Sequence, residues 1–564
     1  MSDIRNDVLY AVINKSYSLM DYDTIRDIHK MYEFSKQIIL DDKSLTENEK
    51  SEAIKIMTKT YDLNKLLFDE GTKRICENCN KECLATLFCE HCVRNYLISN
   101  FPNWTSGNDT IDNLIQECQM KTITPDLIPE WIPYNNLEDI EYLTKGGFSE
   151  IYKAVRIDGG YVEWDFKEQR LVRFGSHEVV LKRLENVENA NQSWLEEARS
   201  HLTISNKWSE VVQCHGLTQD PSNGNYMLVM NIFDTDLRKY LQQNHNQLTW
   251  KEKVQIAVNI INALTRIHYE NAIHRDLHSG NILFVQRNQK FGVSDLGFCG
   301  PADRPLKSIY GNLPYLAPEV IIGKGHTFKS DIYSIAILMW EISSGRPPFF
   351  NYEHNYDLAM NIVNGIRPKI VPGTPLEYKN LMIQCWDADP SKRPDIFTLT
   401  RKMREVNLFY QSKSNDELSR LEENNSLKWK NLENYANNSS SLFTSRLHQF
   451  DNLPEPRNAT EDELEAFYSK PYDFYIPDNI DDFGKSIDQD DNGILINKGD
   501  SKNLSKVFNE LQISSKADVQ NNFREQIILN QIKNVYTDDD EDEVYNNPNI
   551  HSGEQDELEL PDNI

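Results

Sequence analysis

Apolar positions change their spacing several times along the chain, and each change predicts a different kind of element. Over residues 1–70 charged and apolar positions alternate at helical spacing, as at Ile25, Ile28, Met31, Phe34 and Ile38, and proline is absent. Two or three helices are predicted there, with an apolar stripe that serves packing and is available for docking or dimerisation. Further on the pattern shortens. Glu178-Val179-Val180-Leu181-Lys182 is an apolar β-type run closed by a lysine, Tyr226 to Phe233 reads as a second strand, and Val293-Ser294-Asp295-Leu296-Gly297 as a strand running into a turn. Trp194 to Arg199 opens a helical stretch, and Ile332 to Ile342 reads as a buried helix. Beyond Gln411 apolar clusters are too sparse to offset the entropy of ordering, so disorder is expected over 410–564. Two islands interrupt that span: Tyr435 to Leu453, carrying Leu442, Phe443, Leu447 and Phe450, and the helical-looking Leu504 to Ile532. Either suits a transient helix or a docking segment.

Length and charge refine this division. A chain of 564 residues permits several domains, while 39% hydrophobic content suits one good-sized core and is low for a wholly globular chain. The net charge of −27 is uneven: residues 411–564 hold 33 acidic against 14 basic side chains, so the rest is only mildly acidic. The run Asp538 to Glu543 is a solubilising tail or a lure for basic partners, and its repulsion argues against nucleic acid as a partner. No apolar stretch approaches the twenty or so uncharged residues of a membrane span, so none is expected.

Cysteines add a candidate metal centre. Cys76-x-x-Cys79 and Cys89-x-x-Cys92 are two paired-thiol knuckles nine residues apart, and four thiolates suit tetrahedral Zn²⁺ in a small ribbon-like element. Cys83 and His91 are spare donors. A structural ion is expected rather than a catalytic one, because no open coordination position is implied; unliganded buried cysteines are the alternative. Nine cysteines and no signal-peptide pattern suggest a reducing, cytoplasmic setting, where a disulfide framework is disfavoured and the Asn103-Trp104-Thr105 sequon has no role. The expected organisation is a helical segment at 1–70, the Cys-rich knuckle at 71–100, and a connector at 101–135 with Asn103-Trp104-Thr105-Ser106-Gly107-Asn108 and Pro125, Pro129 and Pro133. A large domain at 136–409 and the acidic tail at 410–564 complete it.

The large domain carries the densest chemistry. His274-Arg275-Asp276-Leu277-His278-Ser279-Gly280-Asn281 places an Asp and an Asn five positions apart, and phosphoryl transfer needs an Asp to receive a hydroxyl proton and an Asn amide oxygen to hold a metal ion. Lys182, at the edge of its strand, is a candidate clamp for the α- and β-phosphates of ATP, and Glu197 falls where a helix could reach back to it. Asp295 offers a carboxylate suited to Mg²⁺, with Leu296 as an apolar plug beside it. Ala317-Pro318-Glu319, Ser330-Asp331 and Arg393-Pro394 follow downstream in an order that resembles the protein kinases, and the resemblance implies a Glu319–Arg393 ion pair. Singly these pieces have ordinary explanations: Lys182 a snorkelling lysine, Glu197 a solvated helix face, Asp295 a turn former. Their ordered co-occurrence does not.

From about Asn136 to Phe409 the chain resembles the eukaryotic protein kinase family. The resemblance implies a two-lobed α+β fold, ATP and Mg²⁺ as cofactors, and protein hydroxyls as substrates. It implies Asp276, Lys182 and Glu197 as catalytic residues, Asn281 and Asp295 as metal ligands, and Met230 as gatekeeper, with the purine edge met around Asn231 to Phe233. The phosphate-covering loop, Leu143 to Lys153, departs from the family: aligned on Phe148 and Ile151 it has Thr144 and Ser149 at the outer glycine positions, leaving Gly146 and Gly147 to admit phosphates to backbone N–H groups. His278 stands where serine/threonine kinases carry Lys. Cys385-Trp386 and Arg393-Pro394 resemble the tyrosine-kinase-like group, whose members mostly modify Ser or Thr. Arg275 implies a phosphate on Ser308 or Tyr310, although both also suit packing or turn roles. The helical start, knuckle, connector and kinase-like domain together resemble a lineage-expanded set of fungal kinase-like proteins. An ATP-dependent protein kinase is expected, Ser/Thr before Tyr. The chief rival is a pseudokinase scaffold presenting the helical and zinc modules, supported by the degraded glycine loop; a zinc-led binding adaptor is the third reading.

Overall fold

The computed structural model describes residues 4–18, 25, 27–145, 149–184, 192–286, 290–297, 300–301, 309–413 and 444–469. Gly146, Gly147, Phe148, Ser308, the island at 504–532 and the acidic run at 538–543 lie outside them. The described residues fall into two compact units, one holding residues up to Arg74 with 84–86, the other the remainder.

The first unit contains three helices, α1 (Asn6–Ser18), α2 (Ile28–Asp41) and α3 (Glu47–Phe68). Asp27 caps α2, and Thr46 with Glu49 forms a capping box on α3, satisfying N–H groups that a helix start leaves unpaired. Leu9, Ile13, Ile28, Met31, Ile39 and Met57 close the shared core. The expected stripe is displaced: the buried seam of α2 runs Ile28, Met31, Ser35, Ile39, while Ile25 and Phe34 pack at its margin and Ile38 is half-buried. Steps of three drift off the face of a 3.6-residue helix, and steps of three, four and four hold it. That seam is covered within the unit.

The second unit begins with the knuckle, followed by α4 (Glu90–Asn100) and α5 (Asp109–Lys121). The span read as a connector is built into the small lobe. Asn108 caps α5, Asp112 collects Thr105 and Ser106, and Ile111, Leu114, Ile115 and Cys118 enter the lobe's core.

The sheet of that lobe consists of β1 (Glu130–Trp131), β2 (Leu137–Lys145), β3 (Ser149–Arg156), β4 (His177–Leu184), β5 (Cys214–Gln219) and β6 (Tyr226–Asn231). Its order is β1-β5-β6-β4-β3-β2, antiparallel except where β1 lies parallel to β5. β4 lies between β3 and β6, with Lys182 opposite Ile151 on one side and Leu228 on the other. Helix α6 (Gln192–Ser200) packs with α5 through Trp194 and Ala198.

The large lobe is mainly helical, with α7 (Trp250–Tyr269), α8 (Phe328–Ser344) and α9 (Ile396–Ser412). Every residue from Ile332 to Ile342 is buried, as its apolar character requires. The hairpin β7 (Ile282–Val285) and β8 (Lys290–Val293) carries the loop residues of interest at its two ends. Within the span expected to be disordered, residues 444–469 are ordered on the large lobe: β10 (Arg446–His448) pairs antiparallel with β9 (Ile309–Gly311), and α10 (Glu461–Ser469) follows. Aromatic contacts supply the apolar anchoring that composition does not reveal, Phe450 against Tyr356 and Phe467 stacked on Tyr352. Among the described residues no helix is long and apolar enough to cross a membrane.

Candidate functional site

The cleft between sheet and helical lobe gathers charged residues that sequence separates widely. Lys182 on β4 is buried, with its Nζ 2.9 Å from Glu197 Oε1 on α6 and 2.7 Å from Asp295 Oδ1. Burial alone would lower the pKa of that ammonium, but Asp295 and Glu197 hold it above the usual lysine value. Gly297 makes the arrangement possible, because a Cβ there would lie 2.9 Å from Glu197 Oε1 and 3.1 Å from Asp295 Oδ1. Ile151 is half-buried across from Lys182; Met230 is buried on β6, and Phe233 packs at the edge of the same core.

The loop from His274 to Asn281 is held from behind by Asp331 at the first turn of α8. Its carboxylate accepts the backbone N–H of His274 at 2.8 Å, that of Arg275 at 3.0 Å, and a bond from His268 Nε2 at 2.8 Å. Arg275 adopts a left-handed φ of 71°, a conformation that these bonds secure. His274 Nε2 reaches the Ser294 carbonyl at 3.1 Å, linking this loop to the one that carries Asp295. Asn281 Nδ2 donates to the Asp276 carbonyl at 2.9 Å, which turns its amide oxygen to the opposite side.

Asp276 is buried beside Asp295. Burial first, then the Asp295 charge, pushes its carboxyl up to about 7, against the lowering effect of Ser445 and the Asn312 N–H. Its Oδ1 receives the Ser445 hydroxyl at 2.8 Å, and His278 Nε2 lies 3.1 Å from the same Ser445 oxygen. Burial, reinforced by the Arg238 charge, pushes His278 down to about 3, so the ring is neutral near pH 7. Tyr310 is buried in β9 opposite Leu447, with its phenol against Ser445. Glu319 and Arg393 meet in a buried bidentate pair of 2.7 and 2.8 Å.

The structure thus brings Lys182, Glu197, Asp276, Asn281 and Asp295 to one cleft. Sequence reasoning missed Ser445. Its signal was weak but present, a hydroxyl residue inside the apolar island at 435–453.

Cys76, Cys79, Cys89 and Cys92 converge in the second unit, their Sγ atoms all within 4.8 Å of one another. Cys76 to Cys92 measures 3.7 Å and Cys79 to Cys89 3.6 Å. These are too long for disulfides and match the edge of roughly 3.8 Å that a sulfur tetrahedron takes around Zn²⁺ at about 2.3 Å. Cys83 lies outside this foursome, in a second group with Cys89 and Glu90, and His91 Nε2 is turned to the Glu82 carbonyl at 3.0 Å.

Comparison with known proteins agrees with the geometry. Residues 137–403 match the family described as protein tyrosine and serine/threonine kinase. The probable serine/threonine-protein kinase roco5 of Dictyostelium discoideum is 31% identical over 53% of this chain and 11% of its own length. The dual specificity protein kinase zakA of the same organism is 30% identical over 32% of this chain and 25% of its own. The human dual serine/threonine and tyrosine protein kinase is 33% identical over 33% of this chain and 21% of its own. The chain therefore spans between about a tenth and a quarter of the length of these relatives.

Proposed function

We propose that residues 137–403 form a protein kinase domain of the eukaryotic family and that the chain transfers the γ-phosphoryl group of ATP to protein hydroxyls, serine or threonine before tyrosine. The observation that carries this reading is the cluster of buried Lys182 and Glu197 with half-buried Asp295, facing Asp276 and Asn281. Lys182, fixed between two carboxylates, presents its ammonium to the α- and β-phosphates. Asp276 accepts the proton of the attacking hydroxyl. Met230, Phe233 and Ile151 line the purine side.

The oxygen donors fit Mg²⁺: the Asn281 amide oxygen is left available by the bond its nitrogen makes, and Asp295 offers a carboxylate. Bound there, Mg²⁺ would neutralise charge developing on the phosphates. The serine or threonine preference rests on Cys385-Trp386 and Arg393-Pro394, and Ser445, the residue before β10, supports it by reaching Asp276 with its short side chain. Four convergent thiolates support a structural Zn²⁺ in the knuckle. Protein substrates and a cytoplasmic setting, with the tyrosine-kinase-like grouping suggested by Cys385-Trp386 and Arg393-Pro394, belong to the same reading.

The test is labelled phosphate transfer from ATP to a mixture of Ser-, Thr- and Tyr-bearing proteins, with identification of the phosphorylated residue type. Asp276→Asn and Lys182→Met should each remove at least 99% of the signal. Undiminished transfer by Asp276→Asn, or none by the wild-type protein at high Mg²⁺, would refute the reading.

A further inference from the structure

The segment at 444–469 pairs with the edge of β9 and brings the Ser445 hydroxyl to Asp276. β10 adds to the edge of β9 with Ile309 opposite His448 and Gly311 opposite Arg446, so main-chain pairing sets its register. Gly311 has a φ of 142° and no side chain; a Cβ there would meet Leu316 at 2.6 Å and Asp276 Oδ1 at 3.4 Å. The glycine lets the strand run close enough for Ser445 to reach the catalytic loop.

Orientation of the Ser445 hydroxyl follows from its neighbours. His278 Nδ1 accepts the Gly280 N–H at 3.1 Å and so carries no proton, which puts the ring proton on Nε2. That Nε2–H donates to Ser445 Oγ, and the hydroxyl proton is left to point at Asp276 Oδ1. An acceptor oxygen about to be deprotonated requires this arrangement. His278, in place of the family's lysine, becomes the positioning residue for the acceptor.

The segment is anchored well beyond β10. His448 Nε2 bonds the Gly311 carbonyl at 3.0 Å, Arg457 N bonds the Val363 carbonyl at 3.1 Å, and the Asn458 side chain bridges Ala388 N at 2.9 Å and Asp387 at 3.0 Å. Lys413 is the last described residue of the main domain, and the thirty-odd residues from it to Ser445 can extend over roughly 100 Å, ample for an intramolecular reach.

We propose, resting on the phosphoryl-transfer reading above, that Ser445 is an intramolecular phosphoacceptor and that residues 444–469 are a cis substrate closing the acceptor cleft until Ser445 is phosphorylated. In the transfer Asp276 takes the Ser445 proton and Oγ forms a bond to the γ-phosphorus of ATP. The bond from that phosphorus to the β–γ bridging oxygen breaks, and ADP leaves with the electron pair. The product places a phosphate of about −1.5 to −2 beside the Asp276 and Asp295 carboxylates. Like-charge repulsion then loosens the strand and opens the cleft to other proteins.

The experiment uses the full chain with Mg²⁺ and ATP, site mapping by mass spectrometry, and casein as a generic substrate. Ser445 should be labelled at a rate unchanged over a 100-fold dilution, and casein phosphorylation should show a lag that pre-incubation with ATP removes. Ser445→Glu should abolish the lag, raise initial casein activity several-fold and speed hydrogen exchange at Ile309 to Gly311. Ser445→Ala should stay slow throughout. Casein labelling without a lag and without phosphate on Ser445, or a Ser445 rate proportional to concentration, would overturn the proposal while leaving the kinase reading intact. No labelling of casein or Ser445 by the wild-type protein, and none of casein by Ser445→Glu, would overturn both.

Discussion

Replacing Asp331 by asparagine tests the link between folding and catalysis most directly. The carboxylate accepts three bonds: Arg275 N–H on Oδ1, and His274 N–H and His268 Nε2 on Oδ2. An asparagine has one acceptor oxygen. Placed at the Oδ2 position it keeps two bonds without their charge assistance, and its amide N–H then faces the Arg275 N–H. A buried unsatisfied N–H costs about 1–3 kcal/mol, and losing the charge on two bonds adds roughly 1 kcal/mol each, giving about 3–5 kcal/mol. At about 2 °C per kcal/mol for a domain of this size, melting should fall by roughly 6–10 °C. Amide exchange at His274 and Arg275 should accelerate, and phosphoryl transfer should drop at least ten-fold as the loop loses its backing. The effect should depend on pH. Burial raises the Asp331 pKa, but the bonds to His268 and the backbone outweigh it, so the folded value lies below the usual aspartate value. Its stabilisation is therefore present above the unfolded pKa and is lost as pH falls through the folded one, and the gap between variant and wild type should narrow in acid. A variant that melts within about 1 °C of wild type with unaltered transfer would refute the reasoning.

Glu319→Gln leaves the buried Arg393 guanidinium without a counter-charge, with one amide oxygen and backbone carbonyls as acceptors and an amide N–H facing its own, and should cost about 3–5 kcal/mol in thermal melting; Glu319→Leu combined with Arg393→Met should recover most of it. Gly297→Ala forces a Cβ between the Glu197 and Asp295 carboxylates, and about 1–3 kcal/mol of overpacking should appear as a ten- to hundred-fold fall in kcat/KM, with Lys182 displaced. Metal analysis should find one Zn²⁺ per chain, lost in Cys79→Ser combined with Cys89→Ser; a zinc-free wild-type protein purified without chelator would contradict the knuckle reading. Leu114→Ala on α5 should destabilise the small lobe by about 2–5 kcal/mol in urea or thermal unfolding.

Legibility in the sequence followed locality. The loop at 274–281 carries its chemistry in eight consecutive residues, and Asp331, Glu319 and Arg393 sit in short motifs, so order and spacing sufficed to single them out. Helix α5 was less visible because Asn103 to Asn108 reads as a loop, yet Asn108 is the cap of that helix and Ile111, Leu114, Ile115 and Cys118 repeat at three, four and seven. The seam of α2 was read one residue out because a spacing of three was followed past its useful length. Ser445 could not be placed: its partners Asp276 and His278 lie more than 160 positions away. No local pattern encodes an edge-strand pairing of that kind.

Lys182 and Glu197 meet only if α6 stands at the right distance from β4, and here that distance is set from both faces of the helix. On the cleft side Lys182 draws Glu197 inward; on the other Trp194, Ala198 and Leu202 pack on Ile111, Leu114, Ile115 and Cys118 of α5, with Glu117 bonding Arg199 at 2.8 Å. An α6 swung outward would break the Glu197–Lys182 pair, leaving the buried Lys182 with Asp295 alone, and would also open the apolar seam with α5. Both penalties are of kcal/mol size, so they reinforce one another and favour a single position. Residues 109–136 therefore belong to the same folding unit as the cleft: β1 extends its sheet alongside β5, and α5 holds the helix that carries Glu197.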